Sequence, residues 1–211
     1  MRGVRFDADR IPMAVAILLL LASFLAGAPE AHAAGDQPPA LRVEGEHYGR
    51  EPLAFQLLVT QNRFVKSYSN GVTITGVRTS QGPVYHFVRE EGRLIIKMSQ
   101  GNLHRIGEMS TWETMTKLTR FADRAGLVRE DREDAARSCR WYRAREEDVR
   151  LCINERFNLP VYVENHGKLI LRIGKMTPTN EPVDPTALVS RCLRKGYRFV
   201  DADEDISPGT D

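Results

Sequence analysis

The residues in this chain whose types could carry chemistry are few and widely spaced. Of the five histidines, four lie beyond the first 33 residues: His47, His86, His104 and His166. No two of them stand at metal-ligand spacing, so no zinc site is expected. There is no Gly-x-Ser-x-Gly, no His-Glu-x-x-His and no phosphate loop, and a Cys–His nucleophile finds no support in the spacing. The chain therefore reads as a non-enzyme, with no catalytic residues, no metal and no cofactor.

Three cysteines remain: Cys139, Cys152 and Cys192. The first pair is too far apart for the Cys-x-x-Cys arrangement that depresses a thiolate pKa, which argues against redox catalysis. A structural bridge suits an oxidising compartment better. Cys139 and Cys152 fall on two candidate strands, 138–144 and 149–154, joined by the charged turn Arg145-Glu146-Glu147-Asp148. A register pairing Arg143 with Asp148 also pairs Tyr142 with Val149 and sets Cys139 opposite Cys152. A bridge from either cysteine to Cys192, or none at all, stays open. If Cys192 is left over, it reads as a buried, inert thiol on a short helix or as an intermolecular bridge.

Recognition by burial is the other chemistry the residues suggest. Trp112, Met115, Leu118, Trp141, Tyr142 and Tyr162 are the candidates to line an apolar ligand pocket, with Phe157 beside them; core packing explains the same residues equally well. Arginines gather between Arg129 and Arg150, suited either to anionic headgroups or an acidic partner, or to a charged outer sheet face. The acidic run 130–134, interrupted by Arg132, reads as a solvated loop.

The elements that must position these residues are mainly hairpins. Segments 64–69 and 72–75 flank Asn70-Gly71, the dipeptide that favours a type I′ turn. Segments 85–88 and 93–98 flank Glu90-Glu91-Gly92, and 160–163 and 168–173 flank Glu164-Asn165-His166-Gly167. All are rich in β-branched and aromatic residues. One long helix is predicted over 110–125. Ser110 and Glu113 form a capping box, Trp112, Met115, Leu118, Thr119, Ala122 and Ala125 make an apolar stripe, and Gly126 stops it. A shorter helix is predicted over 184–195, with Asp184 capping, Pro185 in the first turn and Gly196 ending it. Segment 53–61 fits a helix or a strand.

The N-terminus reads as an export signal. Arg2 and Arg5 precede an apolar run from Ile11 to Gly27, and Ala31-His32-Ala33 has the small-x-small form of a cleavage site. The run is shorter than the roughly 20 residues a spanning helix needs. Asp7 and Asp9 interrupt the basic region, and Met13 offers a second start. The predicted organisation is a signal over 1–33, a flexible lead-in over 34–41, one domain over 42–200 and an acidic solvated tail over 201–211. With 30 basic and 28 acidic residues the net charge is +2. The signal holds three of each sign, so its removal leaves that balance unchanged. Near-neutral charge, together with export to the periplasm, argues against a nucleic-acid partner.

The segments Cys139-Arg-Trp-Tyr, Cys152-Ile-Asn and Asn158 to Leu169, followed by Pro185 and Gly196-Tyr197, resemble exported bacterial proteins with the LolA/LolB-like half-barrel. The resemblance spans roughly 60–200 and is clearest over 138–200. It implies an α+β fold: a curved, open antiparallel sheet with one long and one or two short helices on its concave face. It also implies a non-catalytic role, binding a lipid or lipoprotein acyl chain, or sensing envelope stress through a protein partner. None of the family's functional residues maps onto a position here.

Overall fold

The computed structural model describes residues 40–204, apart from 106–110, 120, 122–123, 125, 136–137 and 146. The export signal, most of the lead-in and the end of the tail lie outside the described residues. Among the described residues twelve strands form one open sheet. In chain order they are β1 (Ala40–Tyr48), β2 (Pro52–Val59), β3 (Arg63–Tyr68), β4 (Val72–Thr79), β5 (Gly82–Arg89), β6 (Leu94–Ser99), β7 (Leu127–Asp134), β8 (Cys139–Ala144), β9 (Val149–Asn154), β10 (Leu159–Asn165), β11 (Lys168–Thr179) and β12 (Arg198–Asp201). The described helices are α1 (Gln100–Arg105), α2 (Trp112–Lys117) and α3 (Pro185–Arg194).

The spatial order is β12-β6-β5-β4-β3-β2-β1-β11-β10-β9-β8-β7. Two meanders, β1–β6 and β7–β11, are therefore joined along a single β1·β11 seam, in which Ala40 opposes Thr179. The sheet is not purely antiparallel. Strand β12 pairs parallel to β6, Phe199 facing Ile95, because the chain returns to that edge through α3 rather than through a tight turn.

One face of the sheet gathers the main core. Val43, Phe55, Leu57, Phe64, Ile74 and Tyr85 from the first meander join Tyr142, Leu151, Leu159, Val163 and Leu171 from the second. Arg78 on β4 and Leu159 on β10 line a common groove. Five strand spacings separate β4 from β10, about 24 Å in a flat sheet. The sheet must therefore curl around this face. Gly76 helps at one point: a Cβ there would stand 2.3 Å from the Phe64 ring, so only glycine lets that ring lie flat on β4.

The helices depart from expectation in length and in placement. Helix α2 is short. Its N-cap is Thr111, which exchanges hydrogen bonds with Thr114 in a capping box, and Leu118 ends it in the left-handed conformation at φ 58°. The β-branched Thr114 and Thr116 are weak helix formers, so a stripe at helical spacing does not extend the helix further. Ser110, Ala122 and Ala125 lie outside the described residues. Gly126, at φ 76°, precedes β7 instead of stopping the helix. Helix α3 matches its predicted ends. Asp184 accepts from Ala187 N–H, and Gly196 N–H and Tyr197 N–H donate to Leu193 and Cys192 carbonyls, a Schellman closure around Gly196 at φ 79°. Helix α3 does not share the core face. Its Val189 packs on Val88 and Ile95, which point to the opposite side from Tyr85 and Ile74.

The hairpins form, with changes in turn and register. Segment 53–61 is mainly strand β2. Asn70-Gly71 belongs to a three-residue loop: Ser67 opposes Thr73, Gly71 N–H donates to Tyr68, and only Gly71 has positive φ, 79°. The two-residue turn with both φ positive is His166-Gly167, at 48° and 69°. In the β8–β9 hairpin Arg143 opposes Arg150 and Trp141 opposes Cys152, two residues away from the expected register. A two-residue slip keeps every side chain on its face. Cys139 and Cys152 therefore still meet, bridged at a Cα separation of 5.4 Å. Residues 130–134 belong to strand β7 at the sheet edge, where a charged sequence discourages further strand pairing. At the C-terminus Asp201 and Asp203 are tied down rather than solvated: Lys97 donates to Asp201 at 2.6 Å and Ser99 N–H to Asp203 at 3.0 Å.

Candidate functional site

The groove between α2 and the curled sheet has a volume of about 500 Å³, within the range of small-molecule sites. Its apolar walls are Leu41, Val59, Trp112, Phe157 and Leu159, and Arg78, Glu113, Lys117 and Arg156 stand around it. Sequence alternation supplies the walls. Leu41 opposes Val59 across β1–β2, both facing the core side. Trp112 is fixed by edge contact with Phe64, the ring centroids 5.4 Å apart, and by Tyr85 at 6.5 Å. Tyr85, wholly buried, donates to Gln100 at 2.6 Å. Burial, with the Glu113 charge second, pushes the Tyr85 phenol up to about 12. Arg78 bonds Glu113 at 3.0 Å while its guanidinium lies 5.2 Å from the Trp112 ring. Thr116 closes the helix side by donating to the Trp112 carbonyl.

A second constellation lies further along the same face. Alternation along β3 puts Phe64, Lys66 and Tyr68 on the core side, so a lysine sits where an apolar residue would be ordinary. Lys66 is 3% exposed. Its ammonium lies 3.1 Å from His47 Nε2, 4.5 Å from the Phe55 ring centroid and 5.1 Å from that of Tyr68. Among the described residues no carboxylate pairs with it. Burial pushes Lys66 down to about 8. His47 is pushed down to about 4, by burial first and by the Lys66 charge second. Burial raises Tyr68 to about 12. At neutral pH His47 is therefore an uncharged acceptor for the ammonium, and the aromatic faces supply the remaining attraction. Sequence reading missed this pair; the signal was a lysine in phase with two aromatics on an alternating strand.

The six proposed pocket residues divide between the two faces. Trp112, Met115, Leu118 and Tyr142 belong to the main core, and of these only Trp112 lines the groove. Tyr142 accepts from Arg124 at 3.1 Å. Trp141 and Tyr162 lie on the opposite face, stacked parallel with centroids 6.3 Å apart, in a small cluster with Cys139, Cys152 and Val161. Among the described residues the six fall into two separate clusters rather than one lining. Phe157, by contrast, is at the groove.

The arginine-rich stretch is largely paired within the fold. Arg132 covers the Trp141 ring at 4.8 Å, and Arg150 meets Glu130 at 3.4 Å. Cys192 is a free, partly buried thiol against Val88, Ile95 and Val189. Among the described residues no group of three or more His, Cys, Asp or Glu side chains is placed to hold a metal ion. No protein-family model matches the chain, and no curated protein matches it.

Proposed function

We propose that this chain is an exported, periplasmic, non-catalytic binding module for a hydrophobic ligand, a lipid or the acyl chain of a lipidated protein. The observation that carries the reading is the groove of about 500 Å³ with apolar walls between α2 and the sheet. Binding works by burial alone: each methylene taken out of water contributes about 0.8 kcal/mol. Entry requires α2 to shift, and its short length and left-handed end at Leu118 leave little helix to displace. In this reading the curled sheet is the half-barrel of the LolA/LolB-like proteins.

Native mass spectrometry of the protein purified from the periplasm tests the proposal. A co-purifying lipid, on a mass that starts near Ala34, is expected. A ligand-free mass together with no displacement of a fluorescent fatty-acid probe refutes it. The second reading is an envelope protein-interaction or stress-sensing module with a closed core. The complete burial of Leu57, Phe64 and Tyr85 beside the groove favours it, and the ligand-free outcome would select it.

A further inference from the structure

We infer that the groove's ligand is a single-chain lipid with an anionic head, recognised by Lys117 and Arg156 at the mouth. The inference rests on the proposed groove and adds the chemistry of the head. Three cations stand around the apolar walls: Arg78, Lys117 and Arg156. Arg78 is already matched by Glu113 at 3.0 Å. Lys117 and Arg156 have no acidic partner among the described residues, and the Arg156 guanidinium lies 5.1 Å from the Phe157 ring. The groove thus joins apolar walls to two uncompensated positive charges.

An acyl chain alone leaves those charges without a role, and a positively charged head is repelled by them. An anionic carboxylate or phosphate places its charge at the mouth, where guanidinium and ammonium groups form charge-assisted hydrogen bonds. The volume is modest for a drug-sized site, which suits one chain better than two. Both cations are exposed, so their attraction is screened by salt, and discrimination rather than raw affinity is the expected signature.

The test compares myristoyl lysophosphatidylglycerol with myristoyl lysophosphatidylcholine, below their micellar concentrations, by titration of the full chain. The same titrations are run on the double variant Lys117→Glu/Arg156→Glu, with circular dichroism to check folding. The anionic lipid is expected to bind about tenfold more tightly than the zwitterionic one. The preference should shrink with added salt and vanish or reverse in the double variant. Equal binding of both lipids, unchanged in the variant, overturns the head-group inference and leaves the groove reading intact. Binding of neither lipid overturns both. Should the variant fail to fold, the salt dependence of the wild-type preference decides: a preference that persists at high salt refutes a role for these charges.

Discussion

Replacing Lys66 by methionine should change the pH dependence of stability in a defined window. The lysine is 3% exposed, and burial lowers its pKa from 10.5 to about 8. An unfolded chain holds this proton up to pH 10.5, whereas the folded protein releases it above pH 8. Between those values the unfolded state binds more protons, so wild-type stability rises with pH. The contribution is complete above pH 10.5 and lost as pH falls to 8. The span of 2.5 units at about 1.36 kcal/mol each amounts to roughly 3.4 kcal/mol. Tyr68 and Tyr85, both raised to about 12, lower stability above pH 10, so the useful range ends near pH 9.5. Urea denaturation of wild type and Lys66→Met at pH 7 and 9.5 measures the difference. The methionine variant, of similar length and uncharged, should be the more stable at pH 7 by about 1–3 kcal/mol. That advantage should shrink by about 2 kcal/mol at pH 9.5. An advantage that does not change with pH would mean that Phe55, Tyr68 and His47 fully offset the desolvation, and the reasoning would fail.

On the acid side the sign is the same. His47 is pushed to about 4 and His86 is lowered by burial and then by Lys97, so stability should fall as pH drops below 6.5, and His47→Gln should flatten that slope between pH 7 and 5 in denaturant titrations. Reducing the Cys139–Cys152 bridge, which spans a sequence separation of 13, should cost about 3 kcal/mol by the chain-entropy estimate, seen as a lower thermal midpoint; a shift below 1 °C would refute it. Gly76→Ala, whose Cβ would meet the Phe64 ring at 2.3 Å, should destabilise by about 1–3 kcal/mol, whereas alanine at the exposed Gly49, where a Cβ would meet nothing within 4 Å, should be near neutral. Asp184→Ala removes the cap bond to Ala187 and should cost about 1 kcal/mol, measured by the same titration.

Local signals were legible in the sequence and global placement was not. Alternation and turn chemistry located the β3–β4, β5–β6, β8–β9 and β10–β11 hairpins, because those pairings are set within a few residues. The bridge survived a wrong register because the error was two residues, which leaves the face of a strand unchanged. The long helix failed because the stripe from Trp112 to Ala125 reports periodicity and says nothing of Leu118 adopting a left-handed backbone. The two-faced fate of the pocket residues was hidden for a different reason. Adjacent residues Trp141 and Tyr142 point to opposite sides, and which side the sheet curls around depends on the distant seam between β1 and β11. Lys66 was visible as a lysine in an apolar phase, but its burial depends on Phe55, Tyr68 and His47 arriving from three strands.

The seam also governs how the chain can assemble. Each meander is built from neighbours in sequence and can zip locally, whereas β1 waits for β11, whose pairing partner for Ala40 is Thr179. Contacts at such separation form late, since the loop must close before they repay its entropy. During vectorial synthesis the first six strands emerge complete while the β1 edge stands unpaired. It is an open template for another chain until the second meander arrives. A holding factor acting on the nascent chain should therefore engage this edge, and truncation before β7 should leave an aggregating hexad of strands rather than a smaller soluble domain.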